Sequence, residues 1–301
     1  MKILISGASG FLGTYFVNYF SSLNINFVTI GRSNTCNIVI DITKEFEINE
    51  ICDLFIHAAG KAHSTPRTND EITDFYISNV LGTKNLLNAL KNVRPKQFVY
   101  ISSVSVYGLD YGIDINESTP LLAIDPYGKS KIDAEEMVKK WCLEHNVICT
   151  ILRLPLVVGD NPPGNLGSMI RGIKKGYYFN ISGGNVKKSM VLATDIAQFV
   201  IKAAEKGGIY NLTDCIHPSF NDLSKIIAIQ MGKTVVPNLP KFIAILLAKI
   251  GDLFGNKFPI NSTKLSKITS TLTFDDNRAR SAFGWNPSPV LESFKIKKDV
   301  K

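Results

Sequence analysis

The chain has few cysteines and nothing that pairs them. Cys36, Cys52, Cys142, Cys149 and Cys215 are five in number, an odd count with no short metal-type spacing. Free thiols in a reducing cytoplasm are therefore expected. The four histidines, His57, His63, His145 and His217, show no ligand spacing, so no metal is expected. No Lys/Arg run exceeds two residues and no aromatic-basic interleaving suggests a strand-binding groove. Nucleic acid is thus not the expected partner, although the formal net charge is +8. Much of that excess reads as solvated lysine, and a small anionic ligand needs only a few cations. The longest apolar run, Phe242 to Ile250, contains Lys249 and is too short to span a bilayer. No charged leader with a long apolar stretch and a cleavage site is evident, so no secretory signal is expected.

What is present describes an ordinary globular protein. The 301 residues, 45% hydrophobic and 20% charged, suffice for one large or two smaller domains. Residues 2–6 read as a buried strand. Gly7-Ala8-Ser9-Gly10-Phe11-Leu12-Gly13 follows, then a helix to about Phe20. A three-glycine pattern is weak alone, but here it ends a strand and opens a helix, as the motif requires. Gly7 permits the tight turn, Gly10 lets the backbone approach a pyrophosphate, and Gly13 lets helix and strand pack closely. The helix N-terminus offers free N–H groups and partial positive charge.

Further strands are expected at 27–30, 38–40, 54–56, 97–102 and 147–154, with helices at 70–92 and from Pro126 to about His145. A loop at 109–125 covers the site. This alternation predicts an α/β fold, a Rossmann-type doubly wound parallel sheet. After Pro155 the pattern changes, which predicts a division into residues 1–160 and a smaller α/β unit, 161–301, with some chain returning to the first. In that tail, 166–176 and 219–231 read as helices and 210–212 as a strand. Asp195 reads as an N-capping carboxylate. The apolar helix Leu239 to Phe254 suits core packing or a lid better than a membrane or a partner.

Tyr127 and Lys131 stand four apart on the second long helix, which stacks them on one face. An ammonium beside a phenol lowers the phenol pKa, and a tyrosine so tuned exchanges protons near neutral pH. Upstream lies Tyr100-Ile101-Ser102-Ser103-Val104-Ser105-Val106-Tyr107-Gly108. A glycine-rich turn, a serine-tipped strand and Tyr-x-x-x-Lys, in that order, resemble the extended short-chain dehydrogenase/reductase family. More narrowly they resemble its nucleotide-sugar epimerase/dehydratase branch.

The resemblance implies a nicotinamide cofactor, NAD or NADP, on Gly7, Gly10, Phe11, Leu12 and Gly13. Asp41 and Ile42 would contact the adenine, Ala58, Ala59 and Gly60 would pass close to the cofactor, and Lys131 would hold the nicotinamide ribose. Tyr127, Lys131 and Ser103 would be catalytic, with Ser105 a second hydroxyl, while Ser102 serves the backbone and His57 is structural. Asn79 would position a loop or a water. Asn165 and Lys188 fall where the family binds the nucleotide-sugar, Lys188 in place of an arginine on the diphosphate. Arg278 or Arg280 would reach phosphate, and Arg280 is taken as the candidate. The activity implied is C4 epimerisation of a nucleotide-sugar, a UDP-hexose, through a 4-keto intermediate. A cytoplasmic homodimer in surface polysaccharide biosynthesis is the family expectation.

Three further absences sharpen this reading. No acid ends the second strand, where Gly31-Arg32-Ser33 stands, so Arg32 leans the cofactor toward NADP or dual use. Val104-Ser105 follows the serine instead of an Asp-Glu pair, which disfavours dehydration. The aromatic-Asn-Pro segment of many 4-epimerases is replaced by Arg153-Leu154-Pro155-Leu156-Val157. That form resembles a polysaccharide-biosynthesis subgroup and keeps an NADPH-dependent 4-keto-sugar reductase as the alternative. A non-catalytic NAD(P)-sensing protein is more remote, because the serine, tyrosine and lysine are all retained.

Overall fold

In the computed structural model, which describes residues 1–62, 66, 68–254 and 261–296, the hydrophobic runs align in one direction. The strands β1 (Lys2–Ser6), β2 (Asn26–Gly31), β3 (Ile38–Val39), β4 (Leu54–His57) and β5 (Gln97–Ser103) join Ile148–Leu154 and Gly208–Asn211 in a seven-stranded sheet. Its order is Gly208–Asn211, Ile148–Leu154, β5, β4, β1, β2, β3, and every neighbouring pair is parallel. Alternating side chains face opposite ways. Ile3, Ile5, Ile56 and Val99 enter one core and Leu4, Phe55, Phe98 and Tyr100 the other. Burial on both faces is why these strands read as unbroken apolar runs.

Helices cover both faces. α1 (Phe11–Ser22) and the helix Ala193–Ala203 cover the first, and Phe16, Phe20, Ile196 and Val200 enter that core. On the second lie α2 (Asn69–Tyr76), α3 (Gly82–Ala89) and α4 (Pro126–Glu144), with Leu86, Leu87, Ala134 and Val138 buried against the sheet. The strand order reverses between β1 and β4, which opens a crevice beyond their C-terminal ends, where open α/β sheets take ligands.

Several expectations need correction. The helix expected over 70–92 is interrupted by a π-helical turn, Ile77–Leu81, and ends at Ala89. The segment 109–125 is not all loop: Gly112–Ile115 is a strand paired in parallel with Leu272–Phe274. Its partner lies far along the chain, so no local pattern announces it. Asp195 does not cap its helix, whose N-cap is Leu192. It sits inside the first turn and accepts hydrogen bonds from Ser288 N at 2.7 Å and Ser288 Oγ at 3.4 Å, docking the chain's closing segment.

Beyond the sheet, Val158, Leu166, Met169, Ile173, Met190, Leu223 and Ile227 form a separate core. The apolar helix Lys241–Phe254 does not pack as a core helix. Its fully buried side chains are small, Ala244 and Ala248 meeting Leu265, Ile181 and Leu239, with Ile243 and Leu247 half-buried beside them. Among the described residues no helix is long and apolar enough to cross a membrane. All five cysteines are free. His63 lies outside the described residues.

Candidate active site

The glycine turn can be tested position by position. Gly7 has φ +78°, and a Cβ there would lie 2.5 Å from Ala59 N, so only glycine fits. A Cβ on Gly13 would lie 2.1 Å from Gly7 O, which is the close helix–strand packing expected of it. Gly10 differs: its Cβ would meet only Gly7 O, at 3.1 Å. The demand for glycine there is weaker than at Gly7 or Gly13, a tight contact with one backbone oxygen at the N-terminus of α1. That terminus has no side-chain cap and no acid in its first turn. A glycine cradle with open N–H donors fits a dinucleotide pyrophosphate.

The flanks of the cradle are also fixed. Phe11 meets Tyr15 edge-on at 5.6 Å between ring centroids, and Leu12 packs on the sheet core. Arg32 is exposed at the end of β2. Asp41 is held below the usual carboxylate range, first by the Thr43 backbone N–H and to a smaller extent by the charges of Arg32 and Lys44. Asn85 Nδ2 donates to Ile42 O at 3.0 Å and pins that turn. Ala58 N donates to Ser6 O at 3.1 Å. A Cβ on Gly60 would lie 2.8 Å from Asn79 Oδ1 and 3.6 Å from Lys131 Nζ, so the 58–60 segment runs against the candidate catalytic lysine.

Ser103, Ser105, Tyr127 and Lys131 come from two elements that the sheet brings together. Ser103 ends β5, and its Oγ donates to Ser105 Oγ and accepts from Ser105 N, each at 3.1 Å. α4 begins at Pro126, and Asp125 caps it by accepting from Gly128 N at 3.0 Å. The Ser103 hydroxyl lies close enough to the Tyr127 phenol to favour its ionised form. The buried Lys131 ammonium donates to Ile101 O at 2.9 Å and Tyr100 Oη at 3.2 Å, and lies over the Tyr100 ring at 4.7 Å.

The electrostatics overturn one expectation. Lys131 does not lower the Tyr127 pKa in the free chain. Burial raises it, Ser103 opposes that, and Asp125 adds to it. Burial also pushes Lys131 down to about 8, against the charge of Glu135. The spacing gave the shared helix face, but desolvation outweighs any charge effect between the two.

Behind this site Asn79 holds a loop, as the resemblance implied, while Ser130, Glu135 and Arg153 were missed by sequence reasoning. Asn79, within the π-helical turn, accepts from Lys61 N at 2.7 Å and donates to Lys61 O at 3.0 Å and Ser130 Oγ at 2.8 Å. Ser130 in turn donates to Tyr127 O at 2.8 Å, so Asn79 clamps the loop to the catalytic helix. Ser102 does not serve the backbone; its Oγ donates to Glu135 Oε1 at 2.5 Å. Glu135 also receives Arg153 Nε at 3.1 Å and Nη2 at 2.7 Å, both residues being buried. One signal was available: Glu135 follows Lys131 by four residues and shares its helix face.

His57 is structural. It bonds Ser6 Oγ at 2.7 Å and Thr83 Oγ1 at 2.9 Å, and burial pushes its pKa down to about 3. The unfolded chain therefore binds a proton that the fold refuses, and stability is lost as pH falls from about 6.5 towards that value. Between pH 7.5 and 5 this histidine is expected to cost about 2 kcal/mol. Urea titrations of wild type and His57→Gln should show a correspondingly smaller loss in the variant. Equal losses would remove His57 from the account.

The tail candidates each have their own local surroundings. Asn165 is exposed near the start of the helix Gly164–Lys175. Lys188 Nζ donates to Lys267 O at 3.0 Å, and burial pushes its pKa down to about 8 against the charge of Asp110. Arg278 lies over the Tyr210 ring at 5.6 Å. Arg280 donates to Asp276 Oδ1 at 2.9 Å and lines a cavity of about 350 Å³ with Asp114, Cys215, His217 and Asn277. Tyr127 and Lys131 do not line that cavity. Asp275 and Asp276 also line that cavity, and Arg280 is ion-paired with Asp276.

Comparison with known proteins agrees with this geometry. The model of the NAD dependent epimerase/dehydratase family matches residues 3–213, and the chain belongs to that family. Its cofactor is accordingly of the nicotinamide dinucleotide class. The chain is 26% identical over 300 residues to the N-acetyl-alpha-D-glucosaminyl-diphospho-ditrans,octacis-undecaprenol 4-epimerase of Escherichia coli O157:H7, covering 93% of this chain and 89% of that one. Its fold resembles the UDP-glucose 4-epimerase of Thermotoga maritima solved with UDP-glucose, with TM-score 0.76, 20% identity, and 97% and 95% of the two chains covered. It also resembles RMD from Pseudomonas aeruginosa complexed with NADPH, with TM-score 0.74, 20% identity, and 97% and 96% covered.

Proposed function

We propose that the chain is a C4 epimerase of a nucleotide-activated hexose, a UDP-hexose, acting through a 4-keto-sugar in surface polysaccharide biosynthesis. The observation that carries this is the meeting of the Ser103 hydroxyl and the Tyr127 phenol beside a buried lysine, next to the glycine cradle. When bound, the dinucleotide supplies the acceptor and donor of hydride at the sugar carbon. Tyr127 moves the proton at the sugar O4, and Ser103, with Ser105, orients that oxygen. Lys131 holds the cofactor ribose and sets the local charge. Gly7, Gly10, Phe11, Leu12, Gly13, Asp41, Ile42, Ala58, Ala59 and Gly60 hold the dinucleotide. Lys188, Asn165 and Arg280, from the C-terminal unit 161–301, serve the nucleotide-sugar. The reading is of a cytoplasmic enzyme acting on a small substrate; that the T. maritima structure holds UDP-glucose supports the substrate class.

A second reading, a 4-keto-sugar reductase using NADPH, has its own support. Tyr127 is a neutral phenol with a raised pKa, a state suited to donate a proton to a ketone before any oxidation has occurred. Arg32 stands where an acid would select NAD. The test is incubation with a panel of UDP-hexoses and 4-keto-sugars, with NAD and NADPH supplied separately. Interconversion of two epimers without net cofactor change supports the epimerase. One NADPH consumed per 4-keto-sugar supports the reductase, and no turnover on any substrate refutes both.

A further inference from the structure

The helix Lys241–Phe254 is built inside out. Ala244, Ala248 and Gly251, the small residues, face the protein and are buried. On the opposite side Phe242, Leu246 and Leu253 are 72%, 60% and 84% exposed, with Ile250 beside them. On a helical projection these four residues fall within about a quarter-turn of one another. An ordinary amphipathic helix places its large apolar side chains inward. Here a stripe about a quarter-turn wide is apolar and exposed along the outward side of the helix.

The charges indicate what covers it. Lys249 borders the apolar stripe next to Phe242, and Lys241 is exposed at the first residue of the helix. Among the described residues neither has an acidic partner. The helix's one acid, Asp252, is occupied by the neighbouring helix: Ser262 N donates to it at 2.9 Å and Ser262 Oγ at 2.5 Å. The surface therefore offers apolar side chains and unpaired cations within a chain of net charge +8. A second copy fits poorly, because a two-fold pairing through the middle of the helix brings two Lys249 ammonium groups towards one axis. The 14 residues span about 21 Å, too short to cross a bilayer but suited to lie in its interface.

We infer that this helix docks the protein onto an anionic phospholipid surface, its apolar stripe among the acyl chains and its lysines at the headgroups. The inference stands on the helix alone and is independent of the reaction proposed above. It is tested by flotation of the purified full chain with vesicles of phosphatidylglycerol and phosphatidylcholine in equal parts, and with phosphatidylcholine alone. The chain is expected to float with the anionic vesicles at low salt, to bind phosphatidylcholine less, and to be released as salt rises. Leu246→Glu and Leu253→Glu should each weaken partitioning by at least about tenfold, and Lys249→Ala by about fivefold. These exposed side chains support no core, so the variants should keep the wild-type melting temperature and circular dichroism. Three results would overturn the inference: no flotation with anionic vesicles at low salt, undiminished flotation of the Leu246→Glu/Leu253→Glu double variant, or a concentration-dependent dimer that Leu246→Glu dissociates.

Discussion

Replacing Tyr127 with phenylalanine should lower kcat by about 10²–10⁴-fold, the usual contribution of a positioned acid or base. The substitution removes one oxygen and leaves the ring against Phe75, 5.9 Å away between centroids. The fold and the glycine cradle are therefore unaffected, and cofactor affinity should change little. Ser103 keeps its bonds to Ser105 at 3.1 Å but loses the phenol hydroxyl beside it. Turnover with the best substrate of the panel and cofactor binding by fluorescence titration together read the effect. Unchanged turnover would remove Tyr127 from the chemistry, whichever direction the reaction takes.

Replacing Arg153 with methionine should cost the fold about 3–5 kcal/mol, because Glu135 would be left as an unpaired buried charge. Its carboxylate would keep only Ser102 Oγ at 2.5 Å. The loss spreads further. Arg153 Nη1 also donates to Tyr107 Oη at 3.1 Å, Tyr107 donates to Asn211 Oδ1 at 2.8 Å, and Asn211 Nδ2 donates to Ile115 O at 3.1 Å and Asp275 O at 3.2 Å. The guanidinium thus links Glu135 of the catalytic helix, through Tyr107 and Asn211, to the strand Gly112–Ile115. Removing both charges, as Glu135→Met/Arg153→Met, should restore much of the stability, since apolar replacement of a buried pair is often tolerated. Urea unfolding of the single and double variants measures the difference. Equal destabilisation by both would mean that the pair's charges are not what holds this region together.

What was legible in the sequence was what local chemistry demands. The positive φ at Gly7 and the contact of Gly13 with Gly7 O are local demands of the turn itself, although the crowding at Gly7 comes from Ala58 and Ala59, just after β4. Tyr127 and Lys131 share a face because four residues on a helix always do. The sheet was legible because both its faces are buried, so each strand is a continuous apolar run.

What was hidden depended on partners far along the chain. Glu135 looks like any helix-surface acid until Arg153 arrives from the next strand. Gly112–Ile115 has no strand signature because its partner is Leu272–Phe274. Asp195 looks like a cap because the helix start is set by packing two residues earlier. The sign of the Tyr127 shift was misread because spacing reports proximity, whereas burial sets the larger energy. The helix Lys241–Phe254 was misread because composition counts apolar residues and does not say which way they face.

The pairing of Gly112–Ile115 with Leu272–Phe274 also bears on how the chain is made. Six of the strands in the main sheet lie before residue 155 and can begin to associate while later residues are still being synthesised. The strand Gly112–Ile115 cannot: its partner leaves the ribosome some 160 residues later. A nascent chain therefore holds an assembled sheet while this strand still waits for the segment that fastens it.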